Sequence, residues 1–482
     1  MTTNQIWIAV TFIGFMLLFT AVGIYSSTQK QNDTTDYLLA GRNVNPWFTA
    51  LSAMSTGQSG LLFIGQVGFA YKAGISSIWL IIGWAIGDYI AWWLFFRKLR
   101  EVSEQTQADT VSGFLGQNTN AVRAITIVSA LITVAFLGTY AAAQLQSGSV
   151  ALKAVFNWDL WVGTIIGTII VVLYCFSGGI RASIWTDTIQ ALVMIGSLLL
   201  LLVVAIVQCG GFNGLWTQLG EIDPALVNLS PAKLPLGFIP YFIGWTVAGF
   251  GVVGQPHIMV RAMAIDNAQN VAKARNIKVV AGLTTSFASM GIGLTARVLL
   301  PELLALSTDA LDQTELALPL LALKLLPAGL VGMMVAGVFS ATMSTADSQI
   351  LSCSAALTQD IFPQFAHSYK IVKIGTLTVT AIAFAIALSA NDNVFSLITF
   401  AWSALAAGLG PLFIVRVLQK PINGTVAILM MLVGMSASII WKTTGLSSNF
   451  IYEVLPGMVA GMMVYLIGRL FIRNQMKTVN KS

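Results

Sequence analysis

The hexapeptide Ser55-Thr56-Gly57-Gln58-Ser59-Gly60 interrupts an otherwise apolar stretch, residues 46–71, that is long enough to cross a bilayer. Polar groups at this depth are unfavourable in a regular helix that faces lipid, and non-helical backbone is tolerated only where it faces protein or a water-filled cavity. The hexapeptide therefore predicts a broken transmembrane helix with an internal site at the break. The alternative is that its glycines serve close helix packing.

A second interruption lies in the apolar stretch 236–257. Its glycine and polar positions are Gly244-Trp245-Thr246, Gly249, Gly251 and Gly254-Gln255-Pro256. The two interruptions fall in the first helices of two consecutive groups of five predicted helices, 46–208 and 236–416, which start on opposite sides of the membrane. Broken helices at corresponding positions of two inverted halves point to the central site of a transporter. Glycine-mediated packing is the alternative here as well.

The composition indicates that the whole chain is embedded in lipid. Of its 482 residues, 56% are hydrophobic and 9% are charged, with a mean hydropathy of +0.80, whereas soluble domains carry about 25% charged residues. We predict an all-α polytopic membrane protein that forms a single transmembrane domain over residues 1–482. About 20 apolar residues span the hydrocarbon core, and thirteen such stretches are predicted: 5–27, 46–71, 76–97, 122–152, 158–178, 184–208, 236–257, 276–299, 327–356, 371–390, 393–416, 423–442 and 450–472.

The distribution of basic residues predicts the orientation. With the N-terminus outside, 19 of the 25 Lys and Arg residues fall in inner segments, as the positive-inside rule requires. The expected location is a cell membrane, with the C-terminus in the cytoplasm. Since the basic residues lie in short loops, the net charge of +6 indicates topology and not nucleic-acid binding. The initial MTTNQ lacks a basic residue, so the first stretch is interpreted as a retained helix and not a signal peptide.

Two outer connections, 209–235 and 300–326, are the longest. The second is acidic, with Glu302, Asp309, Asp312 and Glu315. Connections of this length act either as gates or as solvated linkers, and the sequence leaves both open.

The ninth stretch carries the run Ser340-Ala341-Thr342-Met343-Ser344-Thr345-Ala346-Asp347-Ser348. Residues 341, 344, 345 and 348 share one helical face. Hydroxyl oxygens together with the carbonyls of an unwound helix suit a small hard cation such as Na⁺. The alternative is that these hydroxyls bond only to their own helix.

Three carboxylates are embedded in apolar stretches: Asp347, Asp187 and Asp88. A carboxylate near the bilayer centre costs roughly 2.5–3.5 kcal/mol on insertion scales, which makes each a functional-site hypothesis. Asp88 has the least polar surroundings of the three.

Catalytic and metal motifs are weak by contrast. Only two histidines occur, His257 and His367, and the three cysteines lack metal spacing.

Several strings resemble those of the sodium:solute symporter family, and within it the proline-type members. They are TALSA (Thr49 to Ala53), Ser59-Gly60, Tyr140, WTDT (Trp185 to Thr188), GQPHI (Gly254 to Ile258), MST (Met343 to Thr345) and the spacing from Tyr452 to Gly457. The similarity covers nearly the whole chain. GQPHI followed by Arg261 is typical of proline-type members, whereas MST is shared more widely. The chain departs from them at Gly57, where proline-type members carry Asp.

The resemblance implies a fold and a set of site residues. The fold is a leucine-transporter-type 5+5 inverted repeat with one extra N-terminal helix and two accessory C-terminal helices, here 423–472. By position, the main Na⁺ site uses backbone carbonyls of Ser55, Gln58 and Ala341 with the hydroxyls of Ser344 and Thr345. The implied solute contacts are Ser59, Tyr140, Trp245, Gln255, Pro256 and Trp402. Asp187, Asp347 and Ser348 form a candidate second cation site.

The expected function is a Na⁺-coupled secondary transporter that imports a small amino acid, with L-proline favoured, by alternating access. Its expected partners are the solute, Na⁺ and the lipid bilayer. Alternatives are a symporter of the same family for another small organic solute or coupled to H⁺, and a substrate sensor or channel on a transporter fold. No Gly-x-Ser-x-Gly elbow or Walker A motif occurs, so neither an enzyme nor an ATP-driven pump is indicated. A structural pairing of Asp187 with Arg181 is the alternative to a second cation site.

Overall fold

Helical segments occupy each of the thirteen predicted positions. The computed structural model describes residues 2–29, 33–231, 234–305, 313–366, 368–389, 394–449 and 451–479. His367 and two acidic residues of the 300–326 connection, Asp309 and Asp312, lie outside the described residues. Within the described residues no strand occurs, apart from one isolated bridge between Val44 and Ile265.

We number these segments in chain order. They are α1 Thr3–Ser26, α2 Pro46–Gly60 with its continuation Val67–Ala73, α3 Ile78–Ala91, α4 Val122–Ile132 with its continuation Gly138–Phe156, α5 160–178, α6 180–208, α7 Phe238–Phe250 with Pro256–Ala264, α8 Val271–Leu299, α9 Ala328–Ala355, α10 Tyr369–Ser389, α11 Val394–Val417, α12 Gly424–Thr443 and α13 Val454–Val479. Shorter connecting helices are Thr34–Leu39, Arg97–Gln105, Val111–Gly116, Gly211–Ile222, Glu302–Ala305, Ala317–Leu325 and Leu446–Asn449.

Not every segment qualifies as a membrane span by length and composition. Among the described residues nine helical stretches are long and apolar enough, or ten with the bent pair that forms α7. The count is below thirteen because α2 and α3 belong to one continuous stretch, Pro46–Gln105, and because the apolar parts of α5 and α13 are short.

The first and the last two helices lie outside the central bundle. α1 packs against α5, α6 and α9, whereas α12 and α13 pack against each other and against α11. α9 is buried along most of its length. The central helices α2 to α11 therefore enclose the polar residues described below. The assignment of 46–208 and 236–416 as two inverted repeats stays a prediction.

Both predicted helix breaks are present. In α2 the backbone at Ser59 adopts φ 53° and ψ −172°, and π-helical turns follow at Leu61–Gln66. In α7 a 3₁₀ turn at Gly251–Gly254 and an extended Gln255 precede Pro256, and the two halves are bent by 60°. Proline explains the second break, because its ring disfavours the helical conformation of the preceding residue while fitting the first turn of a new helix.

A further break separates α5 from α6. Gly179 has φ +58°, and a Cβ atom there would overlap the carbonyl and ring of Tyr37. A residue other than glycine would be strained by both the dihedral angle and the close approach. This glycine therefore lets the chain reverse direction beside the short helix Thr34–Leu39.

Candidate functional site

The break in α2 is held by polar side chains of α4. The Ser59 hydroxyl lies 3.4 Å from the Tyr140 hydroxyl and accepts a hydrogen bond from the Leu61 amide at 3.2 Å. The Gly60 amide donates to Gln144 Oε1 at 2.8 Å. Backbone groups released by the break are thereby satisfied inside the protein, as the bilayer requires. Sequence reasoning missed Gln144, although it lies four residues after Tyr140 and hence on the same helical face.

Four of the five residues predicted for the main Na⁺ site meet between α2 and α9. The Ser55 hydroxyl donates to Ser344 Oγ at 2.8 Å. The Thr345 hydroxyl lies 3.0 Å from the carbonyl oxygens of both Thr56 and Ala341. The side chains at the positions named here are all buried, namely Ser55, Thr56, Ala341, Ser344 and Thr345. The result is a compact group of hydroxyl and carbonyl oxygens, the hard donors that suit Na⁺.

The fifth residue, Gln58, sends its side chain elsewhere. Its amide nitrogen donates to the Gly282 carbonyl at 2.9 Å, and its Oε1 accepts from Thr285 at 2.6 Å. These contacts are with α8, on the opposite side of α2 from α9. The prediction concerned the Gln58 carbonyl, which accepts a hydrogen bond from the Leu61 amide at the break and is not engaged by the Gln58 side chain.

Thr56 was not among the predicted site residues. Its hydroxyl donates to the Ser344 carbonyl at 3.2 Å, and its own carbonyl accepts from Thr345. The available signal was its place within the polar hexapeptide. The hydroxyls of α9 also bond back along their own helix, as in Ser348 to the Ser344 carbonyl at 2.6 Å. Bonding to the helix and contact across to α2 therefore occur together.

A second polar cluster adjoins this group and contains Asp187 and Asp347. Both carboxylates are fully buried. The Ser183 hydroxyl lies 3.1 Å from Asp347 Oδ1 and 3.5 Å from Asp187 Oδ2, so it links the two. The Ser52 hydroxyl of α2 donates to Asp187 Oδ2 at 2.6 Å.

Arg261, from the second half of α7, lies at the centre of this cluster. Its Nη2 is 3.2 Å from Asp187 Oδ2 and 2.8 Å from Ser183 Oγ, and it also contacts Ser348 Oγ. Its side chain is fully buried. Sequence reasoning placed Arg261 in an inner loop and so missed this role. An arginine five residues after the Gln255-Pro256 break was the available signal.

Asp187 has a structural ion-pair partner, as the alternative to a second cation site supposed, but that partner is not Arg181. Arg181 pairs with Asp36 of the short helix Thr34–Leu39 and donates to the Ala40 carbonyl at 3.0 Å. Asp187 pairs with Arg261 instead. Asp347 lies beside this pair through the Ser183 hydroxyl, so two buried carboxylates share one polar cluster with the Arg261 guanidinium.

The predicted solute contacts fall into separate groups. Gln255 Nε2 donates to the Trp402 carbonyl at 2.9 Å, and Trp402 Nε1 donates to the Ala248 carbonyl at 2.9 Å, so these residues join α7 to α11. Trp245 is stacked on Tyr452 with the ring centres 5.4 Å apart, and both rings line one crevice. Pro256 lines a small cavity on another side of the bundle. Ser59 and Tyr140 form one pair and Gln255 and Trp402 another, while Trp245 and Pro256 face different spaces.

Asp88, the third embedded carboxylate, forms an ion pair with Lys278 of α8. The pair borders a cavity of about 100 Å³ that Trp402 and Gln58 also line. Within the described part of the chain, no group of three or more His, Cys, Asp or Glu side chains could hold a metal ion. A cation here has to rely on hydroxyl and carbonyl oxygens such as those between α2 and α9.

The family model of the sodium:solute symporter family matches residues 37–434. This chain belongs to the sodium:solute symporter family. Among curated relatives, the osmoregulated proline transporter OpuE of Bacillus subtilis is 31% identical over 474 residues, covering 95% of this chain and 94% of the relative. The sodium/proline symporter of Escherichia coli is 30% identical over 463 residues, covering 94% and 90%.

Solved structures agree on the fold. A Na⁺-coupled sialic acid symporter in a substrate-bound outward-open state matches with a TM-score of 0.79 and 18% identity, covering 95% of this chain and 96% of that one. The nucleobase-cation-symport transporter MHP1 in a closed conformation matches with a TM-score of 0.59 and 14% identity, covering 91% and 94%. The expected fold class, an all-α polytopic transporter of the leucine-transporter type, is confirmed. This symporter-family chain is a multi-pass membrane transporter and not an enzyme.

Proposed function

We propose that this transporter couples inward movement of Na⁺ to the import of a small zwitterionic amino acid, with L-proline favoured, by alternating access. The observation that carries the proposal is the oxygen cluster between α2 and α9, where the Thr345 hydroxyl meets the Thr56 carbonyl at 3.0 Å beside the break in α2. Unwound carbonyls next to hydroxyl side chains are a recurring way to hold a coupling Na⁺ in transporters. The names of the proline-transporting relatives favour the same solute.

The main Na⁺ site is assigned to Ser55, Gln58 and Ala341 through their carbonyls and to Ser344 and Thr345 through their hydroxyls. The hydroxyl hydrogens that now point at carbonyls can rotate away, so that each oxygen presents a lone pair to the cation. In the proposed topology the N-terminus is outside and the C-terminus is in the cytoplasm. The repeats 46–208 and 236–416 would move relative to each other around this site.

A second cation site at Asp187, Asp347 and Ser348 is part of the proposal. Arg261 balances one of the two carboxylates. Two buried carboxylates that share the Ser183 hydroxyl are expected to bind a Na⁺ ion or a proton at this depth. Binding there would be linked to the main site through Thr56, whose hydroxyl lies 3.2 Å from Ser348 Oγ and 3.3 Å from Asp187 Oδ2.

The solute is assigned to the space between the α2 break and α11. Ser59 and Tyr140 offer hydroxyls on one side, and Gln255 and Trp402 offer an amide and an aromatic ring on the other. Trp245 and Pro256 stay in the proposal as contacts of the outer and inner approaches, because each lines a different cavity.

The test is uptake of radiolabelled L-proline into proteoliposomes that contain the purified protein. An inward Na⁺ gradient should drive accumulation above the external concentration, whereas an equal K⁺ gradient should not. A panel of unlabelled amino acids as competitors then ranks the solutes. Accumulation that follows a pH gradient and ignores Na⁺ would redirect the proposal to H⁺ coupling. Downhill flux with no dependence on either ion would contradict symport.

A further inference from the structure

A cavity of about 100 Å³ lies on the side of α2 that faces away from α9. Its walls come from α2, α3 and α8, with Ile258 of α7 and Trp402 of α11 closing it. This volume exceeds that of a single water site, for which about 10–15 Å³ suffices. Trp402 connects the cavity to the solute region proposed above.

Two glycines keep the cavity open. Gly57 of α2 lines it, and a Cβ atom there would meet only Ile258 Cδ1, at 3.5 Å, which is an ordinary contact. Gly282 of α8 lies beside the Gln58 amide, and a Cβ there would approach Gln58 Nε2 to 3.2 Å. Larger side chains at either position would project into the space. The absence of a side chain at Gly57 therefore leaves room for a solute next to the helix break.

Among the described residues that line the cavity, only Asp88 and Lys278 carry a charge. They form an ion pair, and each side chain is about 10% exposed. The Lys278 ammonium also lies 5.4 Å from the centre of the Trp92 ring. A buried ion pair is weak evidence for stability, because the loss of hydration offsets most of the attraction. An ionisable pair inside the membrane therefore needs a functional explanation.

Helical spacing places both charges on the stripes that face the cavity. On α3, Asp88 lies one helical turn from Trp84, and both line the cavity. On α8, Lys278 lies one turn from Gly282, and both line the cavity as well. Gly282 accepts the hydrogen bond from Gln58, whose carbonyl is assigned to the Na⁺ site. The pair is thus connected to the ion site through a single residue of α2.

We infer that Asp88 and Lys278 recognise the two charges of a zwitterionic solute in this cavity, Asp88 facing its ammonium group and Lys278 its carboxylate. A solute with only a positive charge would take Asp88 from Lys278 and leave the lysine unbalanced in a medium that penalises it. A solute with only a negative charge would take Lys278 from Asp88 and leave the aspartate unbalanced. A zwitterion replaces both partners at once, so the pair determines specificity. The inference rests on the proposed function, since it names how that transporter selects its solute.

The experiment compares three solutes of similar ring size: L-proline, prolinamide, which lacks the carboxylate, and cyclopentanecarboxylate, which lacks the amine. Each competes with radiolabelled proline for binding to the purified protein at saturating Na⁺. The wild type should prefer proline over both analogues. Lys278→Gln should reduce the preference for proline over prolinamide by about tenfold or more, and Asp88→Asn should do so for cyclopentanecarboxylate, since hydrogen bonds to charged groups contribute about 1.5–3 kcal/mol.

The double variant Asp88→Asn with Lys278→Gln guards against misfolding, because it leaves no unpaired charge. It should lose the preference against both analogues while its thermal stability stays near that of the wild type. Arg97→Gln with Glu101→Gln is the matched control. It removes the same two charges from an exposed pair at 2.9 Å on the helix Arg97–Gln105 and should keep wild-type preferences.

Two results would overturn the inference. One is a double variant that retains the wild-type preference for proline over both analogues. The other is a Lys278→Gln variant in which proline and prolinamide weaken by the same factor, as a purely structural role would produce. Neither result touches the proposed function, which fails only if the wild type shows no Na⁺-driven accumulation of any zwitterion.

Discussion

The two sides of α2 carry polar groups in different surroundings. One side, with Ser52, Ser55 and Thr56, packs against α6 and α9 and is fully buried. The other side, with Gly57 and Gln58, borders a cavity that reaches α3 and α8. Each side has one buried ion pair, Arg261 with Asp187 on the first and Lys278 with Asp88 on the second.

One helix can therefore present different polar groups to two different ligands. On the packed side the polar atoms are surrounded by hydroxyls at hydrogen-bonding distance, so only an ion that loses its water can enter. On the cavity side an amide and an ion pair border open space, so a whole solute can enter. Helical periodicity keeps these sets apart, because residues 52, 55 and 56 share one face and residues 54, 57, 58 and 61 share another. The break at Ser59 follows residues 56 and 58, so it lies beside both sets.

The largest expected difference between the two sides is in stability. Arg261→Gln should lower the free energy of unfolding by about 3–5 kcal/mol, because it removes the fully buried ion-pair partner of Asp187. Lys278→Gln should lower it less, by about 1–2 kcal/mol, because Asp88 is about 10% exposed beside the cavity whereas Asp187 is fully buried. Unfolding in mixed detergent micelles measures both. Arg261→Gln combined with Asp187→Asn is the control and should recover part of the loss. Equal losses in the two single variants would contradict the distinction between the fully buried pair and the pair beside the cavity.

The second expected effect is on the ion. Ser344→Ala and Thr345→Ala each remove an oxygen from the packed side, so the Na⁺ concentration for half-maximal uptake should rise about tenfold. Preference for proline over prolinamide, a property of the cavity side, should not change. Ser340→Ala is the matched control, since the Ser340 hydroxyl donates to the Ala336 carbonyl of its own helix at 2.8 Å. An unchanged half-saturation in both variants would reject the assignment of this side to Na⁺.

Local sequence predicted the features that depend on local chemistry. Pro256 fixes the break in α7, and the Ser-Thr run of α9 lies where hydroxyls were expected. The positions of the helices followed from apolar length, because the bilayer sets that length. These features need no knowledge of which helices are neighbours.

Features that depend on distant neighbours were not predictable in this way. Arg261 was assigned to a loop because the apolar pattern ends near residue 257, whereas α7 continues to Ala264 and carries the arginine inward. Arg181 finds Asp36 because a short helix, Thr34–Leu39, folds back against α5 and α6. Asp88 and Lys278 are 190 positions apart, so no spacing rule links them. Trp245 stacks on Tyr452, which belongs to a distant segment, and both line the same crevice.

A smaller effect is expected at Tyr140, which lies between the two sides. Tyr140→Ala should weaken proline binding about fivefold to tenfold, because it removes a buried ring and the hydroxyl beside Ser59. Tyr140→Phe keeps the ring and should weaken binding only about twofold to threefold, since the contact with Ser59 is long at 3.4 Å. Equilibrium binding of labelled proline and of Na⁺ to the same preparations separates the two ligands. A larger loss for Na⁺ than for proline would move Tyr140 to the ion side.

The smallest expected effect concerns how many cations the packed side holds. Asp347→Asn preserves size and removes one of the two carboxylates around Arg261, so the remaining pair with Asp187 is electrically balanced. If a second Na⁺ binds at Asp347 during transport, the variant should show a shallower Na⁺ dependence, with a Hill coefficient falling from near two toward one. If a proton binds there instead, the Na⁺ dependence should stay the same and the pH dependence of uptake should flatten. Ser340→Ala again controls for a change in α9 alone. A variant with wild-type Na⁺ and pH profiles would mean that Arg261 and the surrounding serines already balance this cluster, and the packed side would then hold one coupling ion.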